Sequence, residues 1–322
     1  MNDPLPSWKD DGIKTAIMDF VADATTIGST NFRPRDQRIA VFDNDGTLWC
    51  EQPLPVQALF AQARAQEMAA ADPSLRERQP FKAFLEHDMK EIQALGKKGV
   101  IEFAVSVHAG MTVDAFAKIV KTWLATQRHP VLPRLFTDVI YQPQIELMTL
   151  LRASGFKIFI VTGGGLDFVR AFAERVYGVP PWQVIGSTVK THFQIVDGQC
   201  ELMKLAELDN FDDRDAKVEN IGLHIGRKPI FAFGNSDGDM AMMRYTMSGT
   251  GPRMALLLHH DDAAREMEYD REFRVSPLSE ALDRAEEFGF RVVSMKGDWL
   301  KIFPVQRAGS NLSPFEERLK AS

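Results

Sequence analysis

Residues 38–48 read RIAVFDNDGTL. The apolar run ends in two acids and a glycine, the pattern of a buried strand whose polar tip opens into a loop. An apolar residue at every position means cover on both faces, as in a parallel sheet held between helices. Comparable runs follow at Lys157–Thr162 (KIFIVT), Pro229–Phe233 (PIFAF), Arg253–Leu258 (RMALLL) and Phe290–Ser294 (FRVVS), each with a helical-period stretch beside it. Strands alternating with helices predict an α/β fold with a doubly wound, mostly parallel sheet.

Upstream of this strand, Ile13, Ile17, Phe20, Val21 and Ala24 recur at helical spacing, so Trp8–Ala24 is expected to be an amphipathic packing helix. Downstream, the pattern changes between Gln52 and Arg134. Helical-period stretches at Val56–Ala71, Phe81–Ala94, Val100–Val107 and Val113–Gln127 are bounded by Pro53, Pro55, Pro130 and Pro133. They predict an all-helical domain over residues 53–135, inserted into a core domain made of residues 1–52 and 136–322. Helices are also expected at Ile145–Ala153 and Leu166–Tyr177, and a hairpin over Ser187–Leu205, where residues alternate on both sides of Asp197-Gly198. The acidic run Asp209–Asp215 reads as a solvated loop.

A chain of 322 residues has room for one large domain or two of ordinary size, and 45% hydrophobic with 25% charged residues is the composition of a globular protein. The longest apolar runs, such as Met254–Leu258, fall far short of the about 20 residues that a membrane helix needs. A net charge of −6 argues against a nucleic-acid partner. Cys50 and Cys200 have no metal or redox spacing and are expected to pack as small apolar residues. Met1–Asp10 has no basic region followed by an apolar run, so the cytoplasm is the expected location, or the periplasm had a signal been trimmed away.

In an open parallel sheet, ligands sit beyond the carboxyl ends of the strands. Those ends carry Asp43, Asp45, Gly46 and Thr47; then Thr162, Gly163, Gly164 and Gly165; then Gly234, Asn235, Ser236, Asp237, Gly238 and Asp239. Asp43 and Asp45 lie two apart and would share one side of a continuing strand, so one can attack while the other serves as acid and base. Carboxylates this close repel unless a cation sits between them, and the oxygen-only donor set favours Mg²⁺ over zinc. The Thr162 hydroxyl and the glycine N–H groups before a helix start offer a phosphate cradle.

The run V-F-D-N-D-G-T-L at Val41–Leu48 resembles motif I of the haloacid dehalogenase superfamily. Ile160–Gly163 resembles motif II, Lys217 stands where motif III places its lysine, and Phe233–Asp239 (FGNSDGD) resembles motif IV. The resemblance implies a Rossmann-like core with a helical C1 cap after the first strand, as in phosphoserine-phosphatase-like members. It further implies a Mg²⁺-dependent phosphatase that acts on a small phosphorylated substrate. Asp43 would be the nucleophile and form a phosphoaspartate, and Asp45 the acid and base. Gly46, Thr47, Thr162, Gly163, Gly164 and Lys217 would bind phosphate, and Asp43, Asp45, Asn235 and Asp239 would hold the metal, with Asp237 as a further candidate.

Two positions depart from the family pattern. Motif IV begins with Gly-Asn, so an amide stands at Asn235 where a carboxylate is usual. The glutamate with which serine-phosphate members read the substrate amine falls at Gln52, with Glu51 beside it, so phosphoserine is not supported as substrate. A phosphotransferase or mutase would keep the same motifs, and a degenerate binding domain is the non-enzymatic alternative. Dehalogenation needs no acid at Asp45 and is disfavoured. Lys190, Lys204 and Lys228 compete with Lys217 for the lysine role. His259–Asp262 (HHDD) reads as a surface loop or salt-bridged rim, and Met240, Met242 and Met243 as core packing.

Overall fold

The computed structural model describes residues 3–305. Its centre is β1 (Ile39–Phe42), a strand of four buried residues. Around it a sheet of seven strands runs in the order β4-β3-β2-β1-β5-β6-β7. The others are β2 (Lys157–Gly165), β3 (Val184–Val196), β4 (Gln199–Asn210), β5 (Phe231–Gly234), β6 (Met254–His259) and β7 (Arg291–Ser294). Every neighbouring pair is parallel except β3 with β4. The chain builds outward from β1 on one side and returns at β5 on the other. The crevice of the sheet therefore opens at the carboxyl ends of β1 and β5.

Alternation sorts the strand residues onto two faces. Ala40, Phe42, Phe231, Phe233, Leu256 and Leu258 belong to one buried cluster, which includes Ile17 and Phe20 of helix α1 (Gly12–Thr25). Val41, Val161, Ala232, Ala255 and Leu257 belong to a second, which includes Ile221, Met242 and Met243. Met240 packs against the edge of that second cluster, so the methionines do serve as packing. Helix cover on both faces is what makes the sheet doubly wound.

The inserted segment contributes α2 (Val56–Ala71), α3 (Phe81–Leu85), α4 (Met89–Ser106) and α5 (Val113–Thr126). Two expected helices differ in extent. Phe81–Ala94 breaks because His87 takes a positive φ of 56° and the Asp88 carboxylate caps a new helix by accepting from the N–H groups of Lys90 and Glu91. Val100–Val107 is then the second half of α4. Only part of the insertion has a core of its own: Ala61, Ala65, Ala69, Phe81 and Phe103 form a separate cluster. Phe60 of α2 and Phe116, Val120 and Trp123 of α5 join the main core, where the Phe60 ring lies 5.3 Å from Phe168.

Beyond the insertion come α6 (Gln142–Ala153), α7 (Leu166–Arg170), α8 (Ala173–Tyr177), α9 (Asp215–Ile225) and α10 (Met240–Met247). Strands β3 and β4 form the hairpin, whose turn residues Asp197 and Gly198 both take positive φ, as a tight two-residue turn requires. The hairpin is longer than its sequence pattern indicates. Its outer strand pairs with the insertion: Lys204 N–H donates to the Met111 carbonyl and Gly110 N–H to the Lys204 carbonyl, both at 2.9 Å. Cys50 is buried, whereas Cys200 lies exposed on this hairpin, so the packing expectation holds for the first alone. No helix among the described residues is long and apolar enough to cross a membrane.

Candidate active site

As the chain leaves β1, the Asp43 N–H still donates to the Phe233 carbonyl at 2.9 Å, so its side chain is set by the sheet. Asp43 Oδ1 accepts from Lys217 Nζ at 2.7 Å. The same ammonium donates to Asp239 Oδ1 at 2.6 Å and to the Val161 carbonyl at 3.0 Å, which ties together the ends of β1, β2 and β5. Burial raises the Asp43 pKa well above the usual carboxylate range and the Asp239 charge adds to this, while Lys217 opposes it. Burial also works against the Lys217 charge, but Asp239, Asp43 and Asp212 more than offset it and hold the amine protonated. The three competing lysines lie elsewhere: Lys190 pairs with Glu207, Lys204 with Asp167, and Lys228 with the Ser248 hydroxyl.

Asp45 Oδ1 accepts from the indole N–H of Trp49 at 2.8 Å, and that indole is buried and stacked on Phe172 with ring centroids 4.7 Å apart. Burial raises the Asp45 pKa, and the Trp49 bond pulls the other way. The other oxygen faces the end of β2: a Cβ placed on Gly164 would lie 3.2 Å from Thr162 Oγ1 and 3.4 Å from Asp45 Oδ2. The glycine run is less open than expected. The Gly164 N–H donates to Thr162 Oγ1 at 3.0 Å, and the Gly165 N–H to Gln57 Oε1 at 2.6 Å. Thr162 keeps its own hydroxyl proton to donate, and Gln57, from the first turn of α2, brings the insertion onto the site.

Asp237 and Asp239 have other partners. Asp237 Oδ1 accepts from the N–H groups of Ser279 and Ala281, and Oδ2 from that of Glu280, so this carboxylate caps the helical turn Glu280–Asp283. Asp239 Oδ2 accepts from the N–H groups of Asn235 and Ser236 and from the Ser236 hydroxyl, while Oδ1 faces Lys217. Asn235 Oδ1 accepts from the Thr47 hydroxyl at 2.8 Å, and Asn235 Nδ2 donates to Glu51 Oε1 at 2.9 Å. Thr47 is fully buried and its hydroxyl faces Asn235, not the crevice. Gly46 takes a φ of +74°, and its carbonyl lies 2.8 Å from His260 Nε2. These two residues thus shape the motif I turn.

Several residues here escaped the sequence patterns. Trp49, Glu51 and Gln57 sit in or just after an irregular loop, where periodicity carries no signal. His260 was expected on a surface loop or a salt-bridged rim. It is instead 1% exposed, because Tyr269 stacks on its ring with centroids 4.3 Å apart and Glu266 accepts its Nδ1 proton at 3.2 Å. The acidic run is likewise not all solvated: Asp212 is fully buried and accepts from Asn220 Nδ2 at 2.8 Å. A run of like charges looks solvated in sequence, but a single member turned inward is invisible there.

A family model described as haloacid dehalogenase-like hydrolase matches residues 40–244. The chain belongs to this family. No curated protein matches it. Among solved structures, a conserved protein of unknown function from Anaerococcus prevotii DSM 20548 is 15% identical, covering 97% of this chain and 100% of its own, with a TM-score of 0.57. A protein of unknown function from Bordetella pertussis Tohama I is 17% identical, covering 80% and 98%, with a TM-score of 0.50. Both share the fold of this haloacid dehalogenase-like hydrolase.

The strand ends offer oxygen donors of the kind a hard divalent cation takes, although no group of three or more acids, histidines or cysteines among the described residues is disposed to hold a metal ion. Asp43 and Asp239 share the ammonium of Lys217, and the Asp45 charge lies near enough to raise the Asp43 pKa further. The surplus negative charge and the all-oxygen donors suit Mg²⁺. Both oxygens of Asp239 and of Asp237 are bound to protein groups, Asn235 Oδ1 accepts from Thr47, and Asp43 keeps one oxygen without a hydrogen bond among the described residues.

Proposed function

We propose that this hydrolase is a Mg²⁺-dependent phosphomonoester phosphatase that works through a phosphoaspartyl intermediate on a small phosphorylated metabolite. What carries the proposal is the pairing of two unlike carboxylates. Asp43 is held on one oxygen by Lys217, and Asp45 is held by Trp49 with its other oxygen toward Thr162 and Gly164.

The free oxygen of Asp43 attacks phosphorus in line, and the bond from phosphorus to the leaving oxygen breaks. Asp45, with its pKa raised by burial, delivers its proton to that oxygen. A water then attacks the phosphoaspartate, Asp45 takes the proton, and phosphate leaves as Asp43 is regenerated. Lys217 and the Thr162 hydroxyl stabilise the phosphoryl oxygens. Mg²⁺, held by Asp43, the Asp45 main chain and Asn235, would neutralise phosphoryl charge when bound. The insertion acts as a cap, with Gln57 resting on the Gly165 N–H and so placed to sense what occupies the site.

Hydrolysis of p-nitrophenyl phosphate with and without Mg²⁺, followed by a panel of phosphorylated metabolites scored by phosphate release, tests the proposal. Metal-dependent release of phosphate to water supports it. Transfer to a hydroxyl acceptor instead, or no turnover of any phosphoester, contradicts it.

A further inference from the structure

Position 235 carries an amide where the family pattern has a carboxylate, and the structure pairs that amide with a buried acid. Glu51 is 1% exposed. Its Oε1 accepts from Asn235 Nδ2 and from the Tyr269 hydroxyl, each at 2.9 Å, and its Oε2 accepts from the Ser276 hydroxyl at 2.7 Å. A carboxylate can only accept, so Glu51 dictates which end of the Asn235 amide it meets. The NH₂ group must face Glu51, and the amide oxygen must face Thr47. The pair also lies directly against the motif I turn: a Cβ on Gly46 would sit 2.1 Å from Asn235 Nδ2 and 2.4 Å from Glu51 Oε1. Glycine is required there both for its positive φ and for this contact.

We propose that Glu51 is a positioning residue for the metal site, and that Glu51 and Asn235 together replace the single carboxylate expected at position 235. The amide would offer the metal a neutral oxygen that already accepts one hydrogen bond from Thr47, while the formal charge sits one residue farther back on Glu51. Resting on the phosphatase assignment above, this identifies the residue that compensates for the family's missing aspartate. It also makes the two positions interdependent. An aspartate at 235 would place a second acceptor 2.9 Å from Glu51 Oε1, where the N–H donor now stands. Two buried carboxylates would then face each other, so one of them must take up a proton or lose its partner. Glutamine at position 51 can turn its own NH₂ group toward that aspartate and restore the bond with donor and acceptor exchanged.

The test compares the parent with Asn235→Asp, Glu51→Gln and the double variant, all at one pH. Two quantities are measured: the urea midpoint in metal-free buffer, and Mg²⁺ affinity by calorimetry. Asn235→Asp is expected to lower the midpoint, and Glu51→Gln in the same chain to recover most of the loss. Glu51→Gln alone is expected to weaken Mg²⁺ binding by roughly tenfold, and the double variant to return to the parent affinity or better. Additive effects on the midpoint, or a Glu51→Gln variant that binds Mg²⁺ as the parent does, would overturn the proposal. Failure of the phosphatase assignment looks different: phosphoesters are not turned over although the parent binds Mg²⁺ and the two positions remain coupled.

Discussion

Two groups of buried acids flank the motif I turn, and they are built differently. On the crevice side, Asp43 and Asp239 share one ammonium, and Asp43 uses only one oxygen in a hydrogen bond among the described residues. Behind the turn, Glu51 accepts from Asn235, Tyr269 and Ser276, and Glu266 accepts from Tyr141 and His260. Each of their four oxygens has a partner. A buried polar network with all members satisfied holds a single geometry. One left short of partners keeps electrostatic stress that a ligand can relieve. On the proposed reading, the rear group is scaffold for the turn and the front group holds the chemistry.

The most severe way to break this contrast is at the front. Asp43→Asn should reduce turnover of an activated phosphoester by roughly 10⁴-fold or more while the fold persists, because an amide of the same shape cannot attack phosphorus. Steady-state rates with a circular dichroism control check this. Lys217→Met should cost about 3–5 kcal/mol of stability in urea unfolding, since it leaves buried carboxylates without their cation.

The rear group makes a pH prediction. Burial raises the Glu51 pKa from 4.5 to about 7. The folded protein then binds a proton more tightly at this site than the unfolded chain does. The stability contributed is complete below about pH 4.5 and is lost as pH rises toward 7, by at most about 3 kcal/mol. Urea midpoints measured across this window should therefore fall less steeply with pH in Glu51→Gln than in the parent. The smallest effect is expected at Trp49→Phe. Removing its N–H takes away a bond that favours ionised Asp45, so the pH-rate limb belonging to Asp45 should move upward, with a rate loss of roughly tenfold at its old optimum.

How much of this was legible depended on whether the signal was local. The strand tips, Asp43, Asp45, Thr162 and the hairpin turn at Asp197-Gly198 announce themselves through neighbours in sequence. The sheet then brings Lys217 to Asp43 and leaves the other lysines outside. The direction of Thr47, the capping role of Asp237 and the engagement of the glycine N–H groups were not legible, because each depends on a partner supplied by another element. Glu51 shows this most plainly: Asn235, Tyr269 and Ser276 reach it from distant segments, and nothing beside it in sequence marks it as buried. The insertion is a similar case. Helical periodicity reveals α2 and α5 but not that Phe60 and Trp123 pack into the main core.

Trapping the intermediate tests the central claim most directly. Asp45→Asn should slow dephosphorylation more than phosphorylation when the leaving group is activated, since p-nitrophenolate needs little help from an acid. Acid quenching of this variant during turnover of p-nitrophenyl phosphate, followed by peptide mass mapping, should place one phosphoryl group on Asp43. It should vanish when Asp43→Asn is added. Continued phosphate release with no label, or with the label on any other residue, would contradict the account.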